Sequence, residues 1–320
     1  MFRLTREVRF AINPPPDDEP SAHKPSNSYG GYPSLRGFGI FLTLQITVEG
    51  EPDGQSNYLL NIKEIDAVVR RDAIPFLTAI VRGVGNVGSA NRAKPSRRFG
   101  SAQHSAQLAE ARSAEPNLRE EKRSAEPNLQ APGGAGVDVA SRTPEQTLSP
   151  LFDRLRDAWP RVRVREIRLA LSPFLSHSAV ASELPMVRLS QKFEFSATHR
   201  LHNPALSDED NRQTFGKCNN PHGHGHNYEL QVTLRGAPNS NGVLIDVPDF
   251  ERIVAVTVID RFDHKNLNLE LAEFRELIPT VENIAMVIYR LLKPALGLAG
   301  ATLASVTVWE TPKTWCEYGE

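Results

Sequence analysis

Cysteine is almost absent from this chain. Cys218 and Cys316 are the only two in 320 residues, too few for a disulfide framework and suited to a reducing compartment. Long apolar runs are missing as well: nothing approaches the ~18 consecutive apolar residues of a membrane span. The opening "MFRLTREVRF" is charged throughout, without the apolar stretch that a secretory signal requires. Nor is there an excess of one charge. Lys and Arg number 37 against 38 Asp and Glu, with no long basic run, which argues against nucleic acid or an anionic membrane as partner. From these absences we expect a cytoplasmic protein whose function rests on a local site.

Aromatic residues are scarce between about 84 and 149, where Ala, Ser, Pro, Gly, Arg and Glu dominate. Such a stretch cannot bury enough apolar surface to offset its ordering entropy and is expected to be disordered or loosely helical. "RSAEPNL" occurs in it twice, at 112–118 and 123–129, a small duplication in a tolerant linker rather than a solenoid repeat.

Residues 186–320 have the pattern of a compact unit. "VRLSQKFEFSA" (187–197) and "YELQVTLRG" (228–236) alternate like half-buried antiparallel strands. Pro248 suits a first helical position, and Phe250, Ile253, Val254, Val258 and Phe262 follow at helical spacing. Thr280 can cap a second helix that carries Ile284, Val287, Ile288, Leu291 and Leu292 on one face, and "TLASVTVWET" (302–311) closes the unit as a strand. Strands, helices, then strands predict an α+β fold, an antiparallel sheet with two helices on one face.

The same pattern recurs nearer the N-terminus. "GFGIFLTLQITVEG" (37–50) lies over "GHGHNYELQVTLRG" (223–236) without a gap, at a constant offset of 186. "VRFAINP" (8–14) lies over "FEFSATH" (193–199), Asn61 and the apolar pattern after it match Asp246 and its helix, and 151–171 reads as a closing helix and strand. We therefore expect tandem α+β units, 1–180 and 186–320, with the 84–149 segment inserted between the helices of the first.

The chemistry concentrates in the second unit. His224 and His226 stand one residue apart on a strand, so both imidazoles leave the same face. His199, ending the preceding strand, can join them by antiparallel pairing. Three neutral imidazoles suit Zn²⁺ and leave a fourth position open, as in catalytic rather than structural zinc sites. His222, on the loop side of the glycine, and His202 are read as bystanders. Cys218 is either an ordinary small cysteine or, beside a divalent cation and Lys217, a thiolate able to act as base or nucleophile. Asp263 and His264, in "DHKNLN", read on spacing alone as a helix stop. Glu310, in "VWET", would need a partner if it faced the core, and a planar amide-like ring with adjacent N–H donors would provide one.

Taken together, "FSATHRL", "FGKCNNPHGHGHNY", "DHKNLN", "TVENIA" and "VWET" resemble the 6-pyruvoyl-tetrahydropterin synthase family, in order and at compatible spacing, over nearly all of 186–320. The resemblance implies a zinc enzyme of the tunnelling fold (T-fold), in which α+β units associate, their sheets close into a barrel and the active sites lie between subunits. It implies that His199, His224 and His226 hold the zinc, that Cys218 abstracts and returns protons, and that Asp263 and His264 complete a relay. Glu310 would anchor the pterin ring, with Thr280 and Glu282 lining the pocket. The implied substrate is 7,8-dihydroneopterin triphosphate, converted with loss of triphosphate to 6-pyruvoyl-tetrahydropterin, a tetrahydrobiopterin precursor. The sister 6-carboxytetrahydropterin synthase of queuosine biosynthesis shares substrate, fold and triad. Its cysteine stands three residues before the HxH pair, whereas five residues separate Cys218 from His224, which favours the pyruvoyl branch. Val281 departs from the second threonine of the animal enzymes, so pocket polarity is expected to differ.

In the first unit, Pro14, Phe38 and Ile40 stand where the three histidines stand in the second, and no cysteine precedes Cys218. Apolar side chains cannot ligate zinc, so this copy is expected to be a structural partner in a homo-oligomer. Three chains would supply six units and match the family's usual hexamer. A non-catalytic pterin-binding or scaffold protein is the reading from a different class.

Overall fold

The computed structural model describes residues 1–14, 37–83 and 142–320. The repeated "RSAEPNL" and most of the expected insertion lie outside these residues. The last part of that insertion does not behave as expected. A helix begins at Pro144, because Thr143 and Gln146 form a reciprocal capping box that satisfies two backbone N–H groups.

In chain order the main elements are β1 (Phe2–Ile12), β2 (Ile40–Gly50), α1 (Ile62–Val68), α2 (Ile74–Val81), α3 (Pro144–Leu155), β3 (Arg163–Ala170), β4 (Leu175–Val180) and β5 (Val187–His199). They continue with α4 (Asp208–Phe215), β6 (His224–Gly236), α5 (Val247–Val254), α6 (Asp260–Phe262), β7 (Lys265–Asn266), α7 (Leu267–Glu270), α8 (Val281–Leu298), β8 (Leu303–Thr311) and β9 (Thr314–Tyr318). One sheet runs through the order β1-β2-β3-β4-β5-β6-β8-β9, every neighbouring pair antiparallel, while β7 pairs with β5 off this path. Period-2 alternation sends Leu42, Leu44, Ile46 and Val48 of β2, and Tyr228, Leu230, Val232 and Leu234 of β6, into the same apolar core as the helices. The opposite face carries Glu7, Arg9, Thr43, Gln45, Arg168, Lys192 and Gln231. The fold is therefore α+β, with the helices on one face of an antiparallel sheet.

The two halves repeat each other in detail. Phe2↔Gly50 through Ile12↔Ile40 in the first matches Val187↔Gly236 through Ala197↔His226 in the second. A register irregularity falls between Thr47 and Val48 and again between Thr233 and Leu234, the equivalent step. Each first helix is interrupted by a five-residue π turn, Val69–Ala73 and Ala255–Ile259. Asn61 and Asp246 stand at matching N-caps, as do Thr143 and Thr280. Arg6 pairs with Asp66 at 2.8 and 2.9 Å where Gln191 donates to Glu251. β4 and β9, which the alternation pattern did not single out, are equivalent closing strands.

Because β4 hydrogen-bonds to β5, both halves lie in one sheet rather than in two stacked ones.

Candidate metal centre

β5 and β6 pair along their whole length, which sets His199 opposite His224 and Ala197 opposite His226. With period 2, residues 224, 226 and 228 share a face, so both histidines and Tyr228 point beneath the end of β5. The His199 and His224 Nε2 atoms lie 3.1 Å apart, and the nearest ligand atoms of all three histidines fall within 4.8 Å of one another. Nitrogens bound to one tetrahedral Zn²⁺ at 2.0–2.1 Å stand about 3.3 Å apart.

The surroundings favour the neutral form of His199 and His226. His199 is fully buried, and its Nδ1–H donates to the Pro279 carbonyl at 2.8 Å, which turns the Nε2 lone pair towards the other two rings. Burial, then the proximity of His224 and His226, pushes its pKa down to about 4 despite the opposing pull of that carbonyl. Burial also lowers His226, partly offset by the Glu310 carboxylate. Two further ring nitrogens, His224 Nδ1 and His226 Nε2, are buried with no hydrogen-bond partner among the described residues. One cation bound by the clustered ring nitrogens would satisfy the unpartnered His226 Nε2 and bridge the closely approaching Nε2 atoms of His199 and His224. The donor set fits Zn²⁺.

Glu310 reaches into the same site, its Oε1 3.4 Å from His199 Nε2 and 3.9 Å from His226 Nε2. Cys218 sits in a short 3₁₀ turn, Gly216–Asn219, following α4. The Leu201 N–H donates to the Cys218 carbonyl at 2.8 Å, which ties this turn to the chain just past His199. Burial and Glu310 push the thiol up, so the cation, rather than Lys217, is left as the influence that would favour thiolate.

Two expected partners lie elsewhere within a single chain. Asp263 and His264 bond to each other at 2.7 Å, and Asp263 accepts the Ser196 N–H at 2.8 Å, which lowers its pKa. They immediately precede β7, which pairs with the end of β5 beyond its ladder with β4, and the His264 ring is largely exposed with its backbone in the left-handed region at φ +58°. The charged group acting on Cys218 is Glu310, not His264. Thr280 caps α8 as expected, and the neighbouring Pro279 carbonyl holds His199, but Glu282 is exposed on the first turn and acts on Cys316 rather than on the triad.

Residues that spacing did not single out complete the site. The buried Tyr228 hydroxyl is 3.4 Å from His199 Nδ1, and burial raises its pKa steeply. The Asn268 carboxamide clasps Arg200, accepting its N–H at 2.7 Å and donating to its carbonyl at 3.0 Å. The Arg200 side chain and His202 both meet the Asn219 carboxamide, at 3.3 and 3.0 Å, beside Cys218. His202 thus stays outside the triad but helps to hold the thiol's turn. The position of Tyr228, two residues past His226, was a usable signal; the Asn268 clasp had none.

In the first half, Ile40 pairs with Ile12 where His226 pairs with Ala197, and Phe38 is fully exposed. Leu169 faces Leu44 as Val308 faces Leu230, so Leu171 falls where Glu310 stands.

The fold and site define an α+β protein with a three-histidine cluster able to hold a metal ion at one sheet end and a cysteine close by. A family model described as 6-pyruvoyl tetrahydropterin synthase matches residues 188–320. The 6-pyruvoyl tetrahydrobiopterin synthase of Drosophila melanogaster is 38% identical over 143 residues, covering 43% of this chain and 82% of that protein. The 6-carboxy-5,6,7,8-tetrahydropterin synthase of Haemophilus influenzae is 30% identical over 156 residues, covering 42% and 100%. The solved structure of Caenorhabditis elegans 6-pyruvoyl tetrahydropterin synthase is 37% identical and covers 43% of this chain and 98% of that one, with a TM-score of 0.41. The chain belongs to the 6-pyruvoyl tetrahydropterin synthase family. No helix among the described residues is long and apolar enough to cross a membrane.

Proposed function

We propose that this chain converts 7,8-dihydroneopterin triphosphate to 6-pyruvoyl-tetrahydropterin with loss of triphosphate, in the cytoplasm, using Zn²⁺ held by His199, His224 and His226. The convergence of three imidazoles beside Glu310 and the Cys218 turn carries this reading. When bound, Zn²⁺ supplies a Lewis acid that acidifies C–H bonds next to the substrate oxygens it meets. Cys218 takes and returns the proton, on a turn fixed by Leu201, Arg200 and His202. Glu310 accepts the pterin ring's N–H donors, and Tyr228 and the Pro279 carbonyl keep His199 in the correct tautomer. The hydrogens are relocated within the substrate, so the net redox change is zero and no redox cofactor is required.

The proposed organisation is a pair of T-fold units, 1–180 and 186–320, of which only the second acts on substrate. The repeated register, irregularity and π turns support a duplication. Asp263 and His264 face outward from one chain, and Thr280 and Glu282 lie towards the β9 edge. All four fit an active site completed by a second copy in a homo-oligomer. Light scattering on the eluting protein tests this, and an active monomer would rule it out.

Mass spectrometry of the product formed from dihydroneopterin triphosphate tests the reaction. A 6-carboxy product would instead give the reading favoured by the Haemophilus relative. No turnover by zinc-loaded protein would leave a pterin binder.

A further inference from the structure

β5, β6 and β8 lie side by side in the sheet, and each sends polar side chains to the same place. His199 comes from β5, His224 and His226 from β6, and Glu310 from β8. Val308 pairs with Leu230 and Trp309 with Glu229, so Glu310 follows on the face that buries Val308, which is also the face of His226 and Tyr228. Strand geometry aims the carboxylate at the histidines.

What it meets there is unfavourable without a cation. The Glu310 side chain is only 16% exposed, and its Oε1 stands 3.4 Å from His199 Nε2 and 3.9 Å from His226 Nε2. The Pro279 carbonyl can only accept, so the single proton of a neutral His199 sits on Nδ1 and its Nε2 turns a lone pair to the carboxylate. Both separations exceed the 2.7–3.2 Å of ordinary N–H···O bonds. Among the described residues, no lysine or arginine lies within ion-pair distance of Glu310. A mostly buried carboxylate facing a lone pair needs positive charge between the two.

We propose that Glu310 is the fourth ligand of the metal while the site holds no substrate, and that it gives up this ligation to accept the N–H donors of the pterin ring. Given the zinc-dependent, pterin-converting reading of the site, on which this rests, the fourth position is filled until the ring arrives.

The ligands divide into two kinds. Ligand atoms around one tetrahedral Zn²⁺ at 2.0–2.2 Å stand about 3.4 Å apart, a spacing that Glu310 has to His199 and approaches to His226. The three histidines form the set whose ligand atoms all lie within 4.8 Å of one another, and the carboxylate stands outside that set. His199 is fully buried and tethered to Pro279, whereas Glu310 sits on a flexible side chain with no such tether. It reaches the cation by rotation and leaves in the same way.

The exchange ties recognition of the ring to the chemistry of the metal. Two adjacent N–H donors on a planar ring take both oxygens of a carboxylate side by side, which leaves neither for the cation. A polyol or triphosphate lacking the ring would find the fourth position occupied. Discrimination would then come from an obstruction that only the correct ring removes.

A pterin bare at C6 tests this, because it has no side-chain oxygen to bring to the metal. In zinc-loaded protein titrated with a chelating dye, this ring should weaken zinc binding by about 5–150-fold. By reciprocity it should bind metal-free protein more tightly than zinc-loaded protein by the same factor, read from its fluorescence. With Co²⁺ in place of zinc, adding the ring should change the visible absorption of the metal, and Glu310→Gln should change it with no ring present. The proposal is overturned if the ring leaves zinc affinity unchanged or strengthens it, if the Co²⁺ spectrum responds to neither the ring nor Glu310→Gln, or if the ring binds neither form. The titrations use the unaltered chain, so they do not depend on a variant folding. None of these readouts depends on turnover, so a failure here leaves the product assay to decide the reaction.

Discussion

Stripping the metal should make the protein sensitive to mild acid, with His199 the largest contributor. In the folded, metal-free chain this buried imidazole titrates at about 4 rather than 6.5. Between those values the unfolded chain binds a proton that the folded one refuses, so stability falls as pH drops from about 6.5 to 4 and then levels off. At 1.36 kcal/mol per pKa unit the full loss is about 3 kcal/mol, a large share of a typical domain's stability. Urea unfolding of chelator-treated protein at pH 7 and pH 4.5, compared with His199→Leu, isolates the contribution. The variant lacks the titrating group, so the gap between the two proteins should shrink by roughly 2–3 kcal/mol at the lower pH. A gap that stays constant with pH would refute the assignment of a neutral, desolvated imidazole at this position. Zinc should restore the wild-type protein and leave the variant unchanged.

Cys218→Ala should abolish turnover while zinc content, read by mass spectrometry of the intact protein, stays at one per chain. Glu145 and His177 are both 3% exposed, so His177→Ala, which strands a buried carboxylate, should cost about 3 kcal/mol in urea unfolding. Replacing both by Leu should cost far less, and equal losses would show that the pair is not coupled. Asn268→Ala removes both bonds to the Arg200 backbone and should lower kcat more than it raises KM, with zinc retained; unchanged kcat would show that the clasp does not position the Cys218 turn.

Much of the site was legible because strand chemistry is periodic. An HxH pair on an alternating strand dictates a shared face, and His199 needed only the strand to run on to residue 199, which it does. The two apolar helical faces were equally plain, with Phe250, Val254, Val258, Ile284, Ile288 and Leu292 all fully buried. "GFGIFLTLQITVEG" and "GHGHNYELQVTLRG" stand in ladders of like register, Phe2↔Gly50 to Ile12↔Ile40 and Val187↔Gly236 to Ala197↔His226. Other features had no local signature. β4 is buried on both faces, so "LSHSAV" shows no alternation. A π turn inserts a residue without altering composition. The start of α3 was hidden by the composition bias of the residues before it, although Thr143-Pro144 followed by Gln146 is a capping pattern. The separation of Asp263 and His264 from the Cys218 turn within one chain depends on which edge of β5 is free, and no stretch of sequence states that.

The ladder joining the two halves has a consequence for supply. A silent subunit made from its own message would vary in abundance, leaving the working one either unaccompanied or diluted. Here translation delivers both together, and mass action has no means of altering the ratio. Whatever the first half does for its neighbour, it does once for every three-histidine cluster.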